Sequence, residues 1–300
     1  METLKLPLQR RARPRGGWSP IPNPIRRHVC AALVGLNRRH IRAAARRHGR
    51  ILLEPVSSVE HYFHFIFDLA LPLWGIADAA PDLPGVVVRD FGIFSSHARR
   101  LFPERLEVIG AGESVDLVSA PLLGMNPRWV HVTRDDVRSF KSHVGSSMGI
   151  NLEEPNNLVL LIERLPPKPS FADDSGAARR SMPNHEELAA AIASSVREPY
   201  EFRNVQLEKL PFEEQIRLFD RAALAIGQHG GGLTNCIWMR PGSRVLEFSY
   251  QVKCKSHFRM ISKVLDHDHA MHRTAGPHDL IDIDFVVRQL LAGLPTAVGE

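Results

Sequence analysis

Short apolar runs alternate with segments of helical periodicity along most of the chain. The runs typical of strands cover residues 86–88, 106–109, 158–162 and 222–227. Helices are predicted near residues 95–102, at 184–196 after Asn184 as N-cap, and at 212–221. Turn formers predict loops at 149–157 and 166–176. Strands that alternate with helices indicate parallel sheets, so the pattern predicts an α/β protein.

A further helical segment carries polar side chains on an otherwise apolar stretch. Its apolar positions recur at spacings of four, three and four residues: Tyr62, Ile66, Leu69 and Leu73. We expect this helix to end between Pro72 and Pro81. His64 and Asp68 are four residues apart and therefore share one face. Either an aspartate-oriented histidine or the carboxylate alone can act as a general base, although histidines on apolar helices are also typical of protein cores.

The strand at 222–227 leads into a turn with three consecutive glycines, Gly230, Gly231 and Gly232, preceded by His229. Glycines allow a ligand to approach the backbone closely, and a helix that opens just after them directs free N–H groups at that point. His229 adds a proton donor or a positive charge. The turn therefore predicts an anion site, typical of a nucleotide or sugar-nucleotide diphosphate.

Polar residues elsewhere can complete such a site. Thr234 and Asn235 fall one turn into the following helix and can reach phosphate, sugar or only backbone. Arg164 follows the strand 158–162 and can balance diphosphate charge, or form a surface ion pair. Glu247 is predicted to end a strand, where a carboxylate can accept ribose hydroxyls.

The sequence around these residues resembles glycosyltransferase family 61. His229-Gly-Gly-Gly-Leu-Thr-Asn235 is similar to that family's HGAGLTN signature, and Met239-Arg-Pro-Gly-Ser-Arg-Val-Leu-Glu247 to the strand that follows it. The segment 60–73 is similar to the family's N-Y-x-H-F-x-x-D-x-x-P motif, and 158–164 to its strand ending in Ser-Arg. Arg180, Asn184 and Glu186 resemble its R-x-x-x-N-x-E motif.

The resemblance implies a GT-B fold, with two doubly wound, Rossmann-like halves facing a cleft and a trimmed N-terminal half. It implies an inverting transferase that uses a nucleotide-diphosphate sugar, with a UDP-sugar as the expected donor, and a glycan or lipid-linked acceptor in capsular or exopolysaccharide synthesis. His64 and Asp68 would be catalytic. The donor-binding residues would be Arg164, Arg180, Asn184, His229, Gly230, Gly231, Gly232, Thr234, Asn235 and Glu247. No cofactor or metal is expected to be obligatory.

Charge is divided unevenly along the 300 residues. Residues 1–50 hold 13 Lys+Arg against one acid, Glu2, whereas the remainder holds 25 basic and 32 acidic residues. The basic segment is expected to be a solvated helix or a contact for anionic membrane; nothing in it resembles a nucleic-acid motif. We expect an acceptor-side domain at 51–150 and a nucleotide-sugar domain at 151–300.

No run approaches the roughly 20 apolar residues that span a bilayer, and the three cysteines are too scattered for a disulfide framework. The expected location is therefore the cytoplasm, with membrane contact at its inner face through the basic segment.

The sequence leaves open three alternatives to a metal-independent transferase. Gly145-Ser-Ser-Met-Gly149 matches the G-x-S-x-G elbow of esterases, with Ser147 as nucleophile, although the preceding residues lack a central strand. Asp266–His272 and Asp282-Ile-Asp284 are rich in metal-ligand types, but a polar loop and a helix start explain them equally well. Finally, the chain could be a sugar-nucleotide-binding partner protein without catalytic activity.

Overall fold

The computed structural model describes residues 23–127, 129–150, 154–165, 180–250 and 257–294. They form two parallel β-sheets with helices packed on them, so the expected α/β class is confirmed. The loop predicted at 166–176 lies outside the described residues, as does part of the loop at 149–157. None of the helices in these ranges is long and apolar enough to cross a bilayer.

The first sheet follows a long helix, α1 (Asn23–His48). Its strands are β1 (Ile51–Pro55), β2 (Val86–Arg89), β3 (Leu106–Ile109) and β4 (Ser119–Leu122). Between β1 and β2 the chain forms α2 (Tyr62–His64), a π-helical turn (Phe65–Ala70) and α3 (Leu71–Asp78). The remaining helices are α4 (Ile93–Leu101) and α5 (Arg134–Met148). The strand order is β3-β2-β1-β4.

The second sheet is formed by β5 (Leu158–Ile162), β6 (Glu201–Val205), β7 (Ala222–Gln228), β8 (Arg244–Ser249) and β9 (Asp268–Arg273). Its order is β6-β5-β7-β8-β9. The helices are α6 (His185–Ser195), α7 (Phe212–Asp220), α8 (His257–Leu265) and α9 (Ile283–Gly293), with short 3-10 helices at Leu207–Lys209 and Gly231–Trp238.

Strand order places a crevice in each sheet. The chain leaves β1 towards β2 on one side and later returns to β4 on the other, and the same reversal separates β5 from β7. Ligands of open parallel sheets bind beyond the carboxyl ends of strands at such reversals. All five residues of β5 are buried because helices cover both faces of the second sheet, which explains its uninterrupted apolar sequence.

One hydrophobic core extends through the helices between the two sheets. Phe65 in the π-helical turn lies edge-to-face with Phe212 of α7, and Phe212 lies edge-to-face with Trp238 of the second 3-10 helix. The two layers therefore share buried aromatic contacts. The domain boundaries expected at residues 50 and 150 stay a prediction.

The π-helical turn explains how Pro72 fits inside the helical segment, which ends at Asp78, within the range expected between Pro72 and Pro81. In this turn each N–H bonds five residues back, as Leu71 N–H does with Ile66 O. Pro72 has no N–H, so the carbonyl of Phe67 is left without an intrahelical partner. Met125 N–H donates to that carbonyl at 2.6 Å. The turn thus ties the helix to the loop after β4.

Several details of the sequence interpretation are wrong. Asn184 stands at the N-cap of α6, but its side chain does not cap the helix. Glu247 does not end its strand, because β8 continues to Ser249. Residues 268–272 are part of β9, since pairing with β8 extends the sheet, and are not a polar loop. Asp282, by contrast, does begin a helix, where it caps Phe285 N–H.

We predict that Asp220→Ala destabilises the contact between the two sheets' helices. Asp220 is buried at the end of α7, where Lys141 Nζ of α5 lies 2.7 Å from Oδ1 and Arg240 lies 2.5 Å from Oδ2. Burial lowers the pKa of Lys141, and Asp220 opposes that shift. Without the carboxylate, the partly buried ammonium group of Lys141 keeps the carbonyl of Trp238 but loses its opposite charge, which should cost about 3 kcal/mol in urea unfolding. Asp82→Ala, which removes an exposed ion pair with Arg46, should leave stability nearly unchanged, and an equal loss there would contradict the prediction.

Candidate active site

The site lies where the second sheet's crevice meets the helical segment that begins at Tyr62. The glycine turn follows β7 and Arg164 follows β5, so both stand at the reversal of that sheet. From the other side, Tyr62 covers the turn: a side chain added at Gly231 would lie 3.9 Å from Tyr62 Cβ. Residues 60 to 73 and 229 to 235 are thereby brought together.

A buried hydrogen-bond network holds these two segments to each other. Tyr62 Oη donates to Asn235 Oδ1 at 2.6 Å, and Trp238 Nε1 lies 3.1 Å from Tyr62 Oη and 3.2 Å from Asn235 Oδ1. Burial raises the pKa of Tyr62, so the phenol keeps its proton for this bond. Asn235 Nδ2 donates to Gln215 and to Gly232 O.

Two arginines converge on the glycine turn. A side chain at Gly230 would collide with the guanidinium of Arg164 and would lie 3.5 Å from Nη1 of Arg180. Arg180 is buried and donates from Nη1 to the carbonyl of His229. Its Nε finds no hydrogen-bond partner among the described residues. A buried guanidinium such as that of Arg180 is costly without an opposite charge, so this part of the turn favours an anion.

The ring of His229 is held by the buried carboxylate of Glu247. Its Nδ1 lies 2.5 Å from Glu247 Oε1, and His269 Nε2 of β9 lies 2.8 Å from Glu247 Oε2. Glu247 is fully buried, and each of its two carboxylate oxygens lies within hydrogen-bond distance of a histidine. This geometry favours a role in orienting His229 over the expected contact with ribose. Sequence reasoning missed His269, whose only signal was its place in a histidine-rich stretch.

Three other residues expected to bind the donor are either buried or bonded to other parts of the protein. Thr234 and Asn235 are fully buried, and the amide of Asn235 is occupied by the network described above. Asn184 is bonded on both sides to the backbone of Ile281, as Nδ2 donates to its carbonyl and Oδ1 accepts from its N–H. The helix after the glycines begins at Gly231, within the turn, and is a 3-10 helix.

The His64–Asp68 pair forms on the helical side of the site. His64 Nδ1 lies 2.5 Å from Asp68 Oδ2. The side chain of Asp68 is only 4% exposed and that of His64 is 36% exposed. Asp68 also lies against Gly124 in the loop after β4, where its carboxylate fills the place that a Cβ would occupy. A buried carboxylate accepts from Nδ1–H, which leaves Nε2 of a neutral histidine able to take up a proton.

Aromatic rings connect the pair to His229. Phe63 lies 5.5 Å from the His64 ring and 4.8 Å from the ring of His257, at the start of α8. His257 lies 6.4 Å from His229, and Phe258 lies 5.2 Å from it. The two sets of polar residues therefore flank one shared region. Sequence reasoning missed His257, which lies ten residues beyond Glu247 and outside the recognised motifs.

The described residues form neither of the two alternative sites, the esterase elbow and a metal centre. Ser147 lies in the last turn of α5, not between a strand and a helix, so the nucleophile elbow is absent at this position. It contacts His143 Nδ1 at 3.3 Å beside a groove of about 380 Å³, lined also by Trp74 and Arg105. Among the described residues, no group of three His, Cys, Asp or Glu side chains could hold a metal ion.

Comparison with known families agrees with this geometry. Residues 62–246 match the family model described as Glycosyltransferase 61. The match covers more than half of the chain and contains both the His64–Asp68 pair and the glycine turn. This protein therefore belongs to glycosyltransferase family 61, and its family membership supports glycosyltransferase activity. No curated protein matches the chain significantly.

We predict that Gly124→Ala displaces Asp68 and separates it from His64. The added methyl group would overlap the carboxylate and would approach Asp68 Cβ to 2.9 Å, so the rigid part of the side chain must also shift. Such overpacking should cost about 1 to 3 kcal/mol in chemical unfolding and should reduce activity more than stability alone explains. Gly112→Ala is the matched control, since nothing lies within 4 Å of its Cβ position. Equal activity in both variants would contradict the placement of Asp68.

Proposed function

We propose that this protein is an inverting, metal-independent glycosyltransferase of GT-B type, which transfers a hexose or pentose from a nucleotide-diphosphate sugar to a hydroxyl acceptor. The observation that carries the proposal is the convergence of Arg164, Arg180 and His229 on the glycine turn, opposite the His64–Asp68 pair. The side with the glycine turn is suited to binding a diphosphate, and the side with the His64–Asp68 pair is suited to accepting a proton.

Electrostatics supports the donor side. The N–H groups at the start of the 3-10 helix and the two guanidinium groups present positive charge at the end of β7. As the bond between the anomeric carbon and the phosphate oxygen breaks, the leaving diphosphate gains charge. Arginines already placed there stabilise that charge without reorganisation, which lowers the barrier. A metal ion is then not needed for this step.

The exposure of the pair favours His64 as the base. The acceptor hydroxyl attacks the anomeric carbon from the face opposite the phosphate, and its proton passes to His64 Nε2. Asp68, which is almost fully buried, holds Nδ1–H and stabilises the imidazolium that forms. Among the acceptors, we propose a glycan of a capsular or other surface polysaccharide, and among the donors a UDP-sugar.

We predict that a single family of nucleoside diphosphates and their sugars raises the melting temperature of the protein. At about 100 times its dissociation constant, a ligand should add about 2.7 kcal/mol to the folded state. Arg164→Ala, Arg180→Ala and His229→Ala should each weaken binding by about tenfold or more, because each removes a charge-assisted contact. Glu247→Gln should weaken it less, through loss of His229 orientation.

The matched controls are Arg138→Ala and His131→Ala, which change exposed side chains away from the crevice. Nucleotides that shift none of the proteins, or that shift the variants as much as the wild type, would refute the donor site.

We predict that His64→Ala and Asp68→Asn abolish turnover but keep donor binding. The readout is release of nucleoside diphosphate, with water as a slow acceptor, in the presence and absence of a chelator. General-base catalysis is worth roughly 10² to 10⁴ in rate, so both variants should lose at least a hundredfold. Turnover that survives His64→Ala but not Asp68→Asn would make Asp68 the base. Donor binding without turnover in the wild type would instead indicate a sugar-nucleotide-binding partner protein.

A further inference from the structure

Helix α1 has a second apolar face that the fold does not bury. Its inner face packs in the core through Val34, Ile41 and Ala45. On the other side, four large apolar residues are 50 to 60% exposed: Ile25, Val29, Leu33 and Leu36. Their spacings of four, four and three residues align them in one stripe along the helix. The stripe is more than scattered surface hydrophobicity, because its members are neighbours.

An exposed tryptophan lies beside this stripe. Trp129 is 37% exposed, and the guanidinium of Arg26 from α1 lies 3.9 Å above its ring. An indole next to an arginine has an apolar body and a polar edge, the combination enriched where proteins meet the lipid headgroup region. The other large exposed apolar residues of the described chain are spread over different elements: Val56, Ile93, Val118, Met271 and Leu280.

The charge on α1 is entirely positive. The helix contains seven arginines and no aspartate or glutamate, and the 22 residues before it add four arginines and one lysine. Beyond Leu36, the outward face continues with Arg39, His40 and Arg47, all exposed. An apolar stripe that continues into basic residues on the same side of a helix is typical of helices that lie in a membrane interface.

We propose that α1 binds the surface of an anionic lipid bilayer, lying parallel to it with Ile25, Val29, Leu33 and Leu36 inserted at the level of the headgroups. The arginines contact lipid phosphates, and Trp129 anchors the edge of the contact. Insertion removes the apolar stripe from water, while attraction between arginines and anionic lipids makes the contact selective for negatively charged membranes.

A second copy of the chain fits this surface less well. A symmetric dimer would place the same face of α1 against itself, and arginines without any acidic partner on the helix would oppose one another. Charge complementarity therefore selects the anionic membrane.

The contact would place the active site close to the bilayer. Asn37 of α1 donates to Pro121 O in β4 and accepts from Leu123 N–H, at the start of the loop that carries Gly124 against Asp68. A helix with its side chains is about 10 to 12 Å in diameter, so the outer face of α1 lies about that far from the loop that carries Gly124. This consequence rests on the proposed function: an acceptor held in the membrane by a lipid would lie within reach of His64.

The test is co-sedimentation of the full chain with vesicles, which needs no substrate. One set contains equal parts of phosphatidylcholine and phosphatidylglycerol, and the other contains phosphatidylcholine only. We expect sedimentation with the anionic set, weakened at high salt because the charges are screened. Leu33→Glu with Leu36→Glu should reduce partitioning on the order of a hundredfold. Arg39→Gln with Arg47→Gln should reduce it about fivefold for each arginine.

Met271→Glu with Leu280→Glu is the matched control, because both residues are exposed apolar side chains in the second half of the chain. It should sediment like the wild type. The fluorescence difference between wild type and Trp129→Phe should shift to shorter wavelength with anionic vesicles, which reports burial of Trp129.

Three results would overturn the proposal. The first is unchanged sedimentation of the Leu33/Leu36 variant. The second is equal loss in the matched control. The third is a dimer of the wild type that the Leu33/Leu36 variant converts to a monomer while neither protein sediments with vesicles, which would assign the stripe to self-association. Because this assay measures no turnover, a failure to bind vesicles would leave the transferase proposal standing. A failure to find turnover would likewise leave the proposal of membrane binding standing.

Discussion

The contact between Tyr62 and the 3-10 helix at Gly231–Trp238 is the constraint on which the site depends. Tyr62, Asn235 and Trp238 share one buried hydrogen-bond network, and breaking any member would leave polar groups without partners in the core. The network fixes the helix that carries His64 relative to the glycine turn. Tyr62 is 173 positions from Asn235 and 176 positions from Trp238 in sequence, so the two sides of the candidate site come together only after both sheets have formed.

Buried carboxylates orient a histidine on each side of that contact. Asp68 holds His64, and Glu247 holds His229 together with His269. In both cases the carboxylate is nearly or fully buried and the histidine is more exposed, so the carboxylate lies inside the protein and the ring lies nearer to the solvent. A buried charge of this kind needs donors in fixed positions. Gly124 packs on Asp68, and the pairing of β8 with β9 places His269 beside Glu247.

Sequence pattern predicted most of the elements that surround the site. The apolar runs at 86–88, 158–162 and 222–227 are buried strands, because parallel strands covered on both faces must be apolar throughout. The run at 106–109 is an edge strand in which Glu107 is exposed. The pattern could not predict the π-helical turn at Phe65–Ala70, which depends on Met125 N–H from a distant loop. Nor could it predict β9, whose histidine-rich sequence is made a strand by pairing with β8. Asn184 bonds the distant Ile281 backbone where local rules predicted a cap.

Periodicity and motif spacing are local properties of the chain, so they were enough to predict the α/β class, the family and the two segments that form the candidate site. Contacts between distant segments decide which residues of those segments face the crevice. Arg164, Arg180 and His229 converge on Gly230, whereas Thr234 and Asn235 turn inward. Burial and hydrogen-bond partners arise from contacts between distant segments, and the same is true of the exposed stripe on α1, which is defined by what the core leaves uncovered.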